Sequence, residues 1–111
     1  MRKLAIYRNG ELTGQLVEES PESYVFIYDE MYYHHSEKPA VSLTLKKNKR
    51  EHRSNYLFPF FYNMLSEGAN KKLQCRHLKI DEEDHFGLLM ETAHNDVIGP
   101  ITVKKMEDES K

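Results

Sequence analysis

The residues that could do chemistry fall in small groups along this 111-residue chain. His34 and His35 suggest a metal. Adjacent histidines project in different directions on helix or strand, though, and no Cys, His or carboxylate lies at the spacing of a zinc site, so no metal is expected. Asp81-Glu82-Glu83-Asp84 could pair carboxylates for acid–base work. Helix capping explains them without remainder: Asp81 reads as an N-cap, and acids in a first turn complement the helix dipole. Cys75, the single cysteine, has no activating base close by in the sequence and no support as a nucleophile. Asn9-Gly10 lacks the glycine cluster and lysine of a phosphate loop and reads as a turn. No nucleophile, base and orienting group come together, so the chain is read as a non-enzyme without a cofactor.

Two stretches could instead bind a partner. Lys46, Lys47, Lys49, Arg50 and Arg53 concentrate positive charge and could meet nucleic acid or an acidic protein. The segment lacks stacking aromatics, and a net charge of −2 gives no general field for an anionic polymer. A solvated loop is the preferred reading, and direct nucleic-acid binding is not expected. The second stretch is Phe60-Phe61-Tyr62-Asn63-Met64-Leu65-Ser66-Glu67-Gly68. Leu57, Phe61, Met64 and Leu65 share one helical face, with Pro59 near the start and Gly68 just past the end. One stripe cannot bury every large side chain here, so Phe58, Phe60 and Tyr62 must point partly towards a second layer or a partner.

The elements that position these groups follow from periodicity. Lys3–Arg8 and Glu11–Val17 read as strands joined at Asn9-Gly10, with Gly14 marking a bulge or a close backbone approach. On the second strand Leu12, Gly14 and Leu16 alternate against Thr13, Gln15 and Val17. Glu18–Glu22 is a polar connection. Ser23–Tyr28 is a third strand with Tyr24, Phe26 and Tyr28 on one face, and Glu30–His35 can form a helical turn. Pro39–Leu45 alternates Val41, Leu43 and Leu45 as a fourth strand. Ala69–Leu78 reads as a helix, and so does the stretch after Asp81, where Phe86, Leu89, Met90 and Ala93 share a face. Val97–Lys105 closes the chain as a last strand. The expected fold is α+β: a mostly antiparallel sheet of about five strands, with two to three helices inserted before the last.

Hydrophobic residues make up 39% and charged ones 31%, the balance of a soluble globule. One domain is expected over residues 1–106, with a frayed tail at 107–111. The lone cysteine suits a reducing cytosol, no apolar run nears the roughly 20 residues that span a bilayer, and Arg8 cuts short any signal-peptide core. A cytoplasmic location is expected.

In order and spacing, these segments resemble the N-terminal subdomain of HipA-type serine/threonine kinase toxins, the couple-HipA family. Asn9-Gly10 with Gly14-Gln15-Leu16, Phe26-Ile27-Tyr28, Pro39 to Leu45, Phe60 to Gly68, Phe86 to Leu89 and Asp96 to Ile101 carry the likeness. Ser66 stands where the family has proline, Pro100 where it has alanine, and Ala93-His94-Asn95 where it has a glycine-containing turn. The family's nucleotide site and catalytic and metal-binding aspartates lie beyond this subdomain, and none is present here. Free-standing versions resemble HipS, the small component of split toxin–antitoxin systems. The resemblance thus implies a regulatory or antitoxin subunit that binds a HipA-like kinase lacking this subdomain, with a DNA-binding antitoxin as a possible third component. An aromatic–Met cluster among polar residues has the composition of a binding hot spot. Phe58, Phe60 and Tyr62 are the candidate anchors, and Ser66 and Glu67 a candidate rim, although Glu67 reads equally well as a helix-end residue. The alternative is a stand-alone adaptor: a structural subunit of a split kinase, or a nucleic-acid-associated accessory protein.

Overall fold

The computed structural model describes residues 2–65, 73, 75–81, 83–92 and 100–106. Strands β1 (Arg2–Arg8), β2 (Glu11–Ser20), β3 (Ser23–Tyr28), β4 (Glu51–Ser54) and β5 (Ile101–Lys105) form one sheet. Its spatial order is β4-β3-β2-β1-β5, and every pairing is antiparallel. Helices α1 (Glu30–His34), α2 (Pro59–Tyr62) and α3 (His85–Thr92) accompany it. This is the α+β fold expected from the sequence.

Local chemistry explains the hairpins. Asn9 and Gly10 have φ of 51° and 82°, the paired positive values that a type I′ turn needs. The register then steps from Ile6↔Gly14 to Tyr7↔Leu12, leaving Thr13 as the extra residue of a bulge. The bulge changes the expected alternation. Gly14 and Leu16 keep the core face, Leu12 moves to the opposite face beside Tyr7, and Thr13 is buried. Gly14 also meets its second expectation. A Cβ there would lie 2.5 Å from the Ile27 carbonyl oxygen and 2.9 Å from Phe26 Cζ.

The main core cluster forms on one sheet face, while Ala5, Val17 and Val25 are buried on the other. Leu4, Ile6, Leu16, Phe26, Tyr28 and Val103 meet Phe61 of α2 and Phe86 and Leu89 of α3. Phe61 lies 5.9 Å from the Phe26 ring and Phe86 lies 6.2 Å from the Tyr24 ring. Both helices therefore set a ring against β3, and α3 also lies along β5. Burying each such side chain contributes about 1.5–3 kcal/mol.

Several boundaries differ from expectation. β2 runs on through Ser20, so the polar connection shrinks to Pro21-Glu22. Pro39–Leu45 is no strand: it is an irregular loop, and the fourth strand comes instead from the end of the basic stretch, at Glu51–Ser54. There His52 faces the core opposite Phe26 and is buried. The central helix is a single turn, after which Met64 N–H and Leu65 N–H bond three residues back, to Phe61 O and Tyr62 O. Residues 73 and 75–78 are helical, with Cys75 buried and Leu73 exposed. α3 starts later than expected, with Asp84 and not Asp81 at its head. Gly68, Ala93, residues 97–99 and the tail at 107–111 lie outside the described residues. No helix is long and apolar enough to cross a membrane among those described.

Candidate functional site

The aromatic turn of α2 is built from the chain's own stereochemistry. Phe58 is extended (φ −56°, ψ 135°), Pro59 follows at the first helical position, and Tyr62 N–H and Asn63 N–H close the turn on Phe58 O and Pro59 O. Proline is suited to that position because its missing N–H would have no intrahelical partner. The turn divides its aromatics. Phe61 is fully buried, and Phe58, at 7% exposure, also belongs to the core. Phe58 therefore drops out as an anchor. Phe60 is half-buried and stands edge-on to Phe61, with ring centroids 5.2 Å apart. Tyr62 is 39% exposed, its ring edge-on to His85 of α3 at 4.9 Å. Phe60 and Tyr62 thus project from a fixed base. Ser66 and Glu67 lie outside the described residues.

Three of the five basic residues at 46–53 bond to other parts of the protein. The Lys47 ammonium donates to His35 O (2.6 Å) and Lys38 O (3.0 Å) and lies 5.0 Å from the Tyr32 ring centroid. Partial burial, and then the neighbouring Lys38, push its pKa down. Arg50 Nε donates to Tyr28 O at 2.9 Å. Arg53 pairs with Glu51 and Glu19, at 2.7 and 3.0 Å. Lys46 and Lys49 are exposed and meet no carboxylate among the described residues.

The acidic cluster serves the fold. Asp84 accepts from Gly87 N–H (3.1 Å), and its backbone carbonyl accepts from Leu88 N–H, so Asp84 caps α3. Asp81 instead caps the turn before it, accepting from Glu83 N–H at 2.8 Å. Arg2 Nη1 and Nη2 fork onto the two Asp84 oxygens at 3.1 and 2.7 Å, while Arg2 Nε donates to Glu18 at 2.7 Å. The fork, and after it the Gly87 N–H, hold the Asp84 carboxyl below the ordinary carboxylate range, while the two carboxylates raise Arg2. Sequence reading missed this clamp, yet a signal existed. Arg2 is in phase with Leu4 and Ile6, and a charge on an apolar face needs a partner. Glu18 sits directly across the ladder from it. His34 is exposed, its ring edge-on to Tyr33, and Cys75 is buried.

Comparison with known proteins extends the geometry. A family model described as the HipA N-terminal domain matches residues 4–104. An uncharacterised protein of Haemophilus influenzae (strain ATCC 51907 / DSM 11121 / KW20 / Rd) is 27% identical over 105 residues, covering 95% of this chain and 93% of that protein. A solved structure, the N-terminal domain of HipA toxin, superposes with a TM-score of 0.72 at 26% identity. That match covers 98% of this chain and 96% of the other.

Proposed function

The chain belongs to the HipA N-terminal domain family, and from that premise we propose that it is a non-catalytic, HipS-like subunit that docks on a separate HipA-like serine/threonine kinase and neutralises it. The observation that carries this reading is the end-to-end likeness to the N-terminal domain of HipA toxin, covering 98% of one chain and 96% of the other. The Haemophilus relative, matched over 93% of its own length, is itself little more than this domain. That supports a role for the domain apart from a kinase body. Phe60 and Tyr62 are the proposed anchors. Their packing on Phe61 and His85 fixes them before binding, so little side-chain entropy is lost on docking.

The test is co-expression with a HipA-like kinase that lacks this domain, scoring co-purification and relief of growth arrest. A stable complex with rescue is expected. Tyr62→Asp, which changes an exposed ring, should keep the fold and weaken the complex about tenfold or more. A complex without rescue would mean a structural or activating subunit, and no complex would sink the docking reading.

A further inference from the structure

The irregular segment 35–50 is tied down by side chains in place of a strand ladder. Tyr28 Oη accepts from Val41 N–H at 3.0 Å and donates to Leu45 O. Tyr32 Oη donates to Pro39 O at 2.7 Å, and His52 Nε2 lies 2.7 Å from Lys46 O. Lys47 holds the two carbonyls named above. Val41 and Leu45 are buried in the core, while Leu43 between them is 89% exposed. The tip around Leu43 folds back on itself: Leu45 N–H closes on Ser42 O (3.2 Å), Thr44 N–H donates to Ser42 Oγ (3.3 Å), and the Ser42 and Thr44 hydroxyls meet at 3.1 Å.

We propose that Leu43 is the anchor of a second docking surface, one that fits an apolar pocket rimmed by carboxylates on the partner kinase. The inference rests on the docking role proposed above. A single exposed leucine is ordinary on a protein surface. What sets this one apart is its setting. The loop is already fixed, so ordering it on binding costs little. Its hydroxyls have partners within the loop, so covering them strands few polar groups. Its surroundings also carry a sign: six basic residues fall within 38–53, and although Lys38 and Arg53 are paired with Glu11, Glu19 and Glu51, the other four meet no carboxylate among the described residues. Lys46 and Lys49 remain there with exposed ammonium groups. A partner with carboxylates around an apolar pocket matches both features. A nucleic-acid backbone matches the charge but offers nothing for the leucine, and the segment has no aromatic on which a base could stack.

The experiment measures the affinity of the full chain for the purified kinase, with Leu43→Ser, Leu43→Met and the pair Lys46→Glu/Lys49→Glu beside wild type. Leu43→Ser should bind about tenfold or more weakly with an unchanged melting temperature, and Leu43→Met should bind nearly as wild type. The charge pair should slow association and flatten its salt dependence. Wild-type affinity in Leu43→Ser overturns the inference and leaves the docking role standing. Failure of wild type to bind the kinase overturns both. Salt-steep binding of duplex DNA that the charge pair abolishes, with kinase affinity untouched, overturns it in favour of nucleic acid.

Discussion

Arg2 enters the apolar face of β1 because Glu18 lies opposite it and Asp84 meets it from the head of α3. Three consequences can be measured at this scale. Asp84→Ala removes a helix cap and should lower the unfolding free energy by about 1–2 kcal/mol in urea titration. At Gly87 an added Cβ would sit 2.3 Å from Asp84 Oδ2 and 3.1 Å from Arg2 Nη1. Gly87→Ala should therefore push the carboxylate out of the fork, and its cost should largely vanish in the Asp84→Ala background, a non-additivity that a double-mutant cycle reads directly. Acid supplies the third test. A carboxyl whose folded pKa is depressed stabilises the fold above its ordinary pKa and loses that contribution as the pH falls through its lower folded value. Wild type and Asp84→Asn should thus be fully separated above the ordinary aspartate pKa of about 3.9 and converge only as the pH falls through the lower folded value. The pair is about one-third exposed, so added salt should narrow the gap. Sequence alone showed four acids in a row and made Asp81 the cap of the helix, a role that the structure gives to Asp84. Only the arrival of Arg2 from the far end of the chain makes Asp84 the cap that matters.

At the scale of elements, periodicity was legible wherever two partners lie close in sequence. The Asn9-Gly10 hairpin, β3 and the burial of Leu57, Phe61 and Met64 follow from local pattern, although only Phe61 of the three lies in the helix. The loop at 39–45 did not. Val41, Leu43 and Leu45 alternate as a strand would, but the same spacing also suits a loop that touches the core at both ends and shows its middle to water. The edge of β3 is taken by Glu51–Ser54, so the loop's backbone turns to the Tyr28 hydroxyl. Burial raises that hydroxyl's pKa, which keeps it a donor at any ordinary pH. Tyr28→Phe would leave Val41 N–H and Leu45 C=O unpaired and should cost about 1–3 kcal/mol for each buried group stranded. Hydrogen exchange at the Val41 amide should accelerate well beyond that of the β1–β2 ladder. Gly14→Ala should also destabilise, because the atom it strikes first is a backbone oxygen that cannot swing away. A lowered melting temperature with the bulge intact in related spectra would check it.

Across the whole molecule, the sheet is a platform that carries α2 and α3 on the face of Phe26, with Ala5, Val17 and Val25 buried on the other face and its charge unevenly placed. α2 presents Phe60 and Tyr62, and the tied-down loop presents Leu43 among lysines. The aromatic excess around Phe60 was visible in the sequence, since one helical stripe could not bury it all. Which ring stayed outside was not visible, because Phe58 precedes the helix and turns into the core as an extended residue. The central claim is that this domain neutralises a kinase by docking on it. The most direct measurement follows the autophosphorylation rate of a purified HipA-like kinase lacking the domain as this chain is titrated in. The account predicts a saturable loss of rate that reaches its floor near one chain per kinase, with Tyr62→Asp shifting the curve to higher concentration. A rate unchanged at saturating chain, or raised by it, would contradict the account.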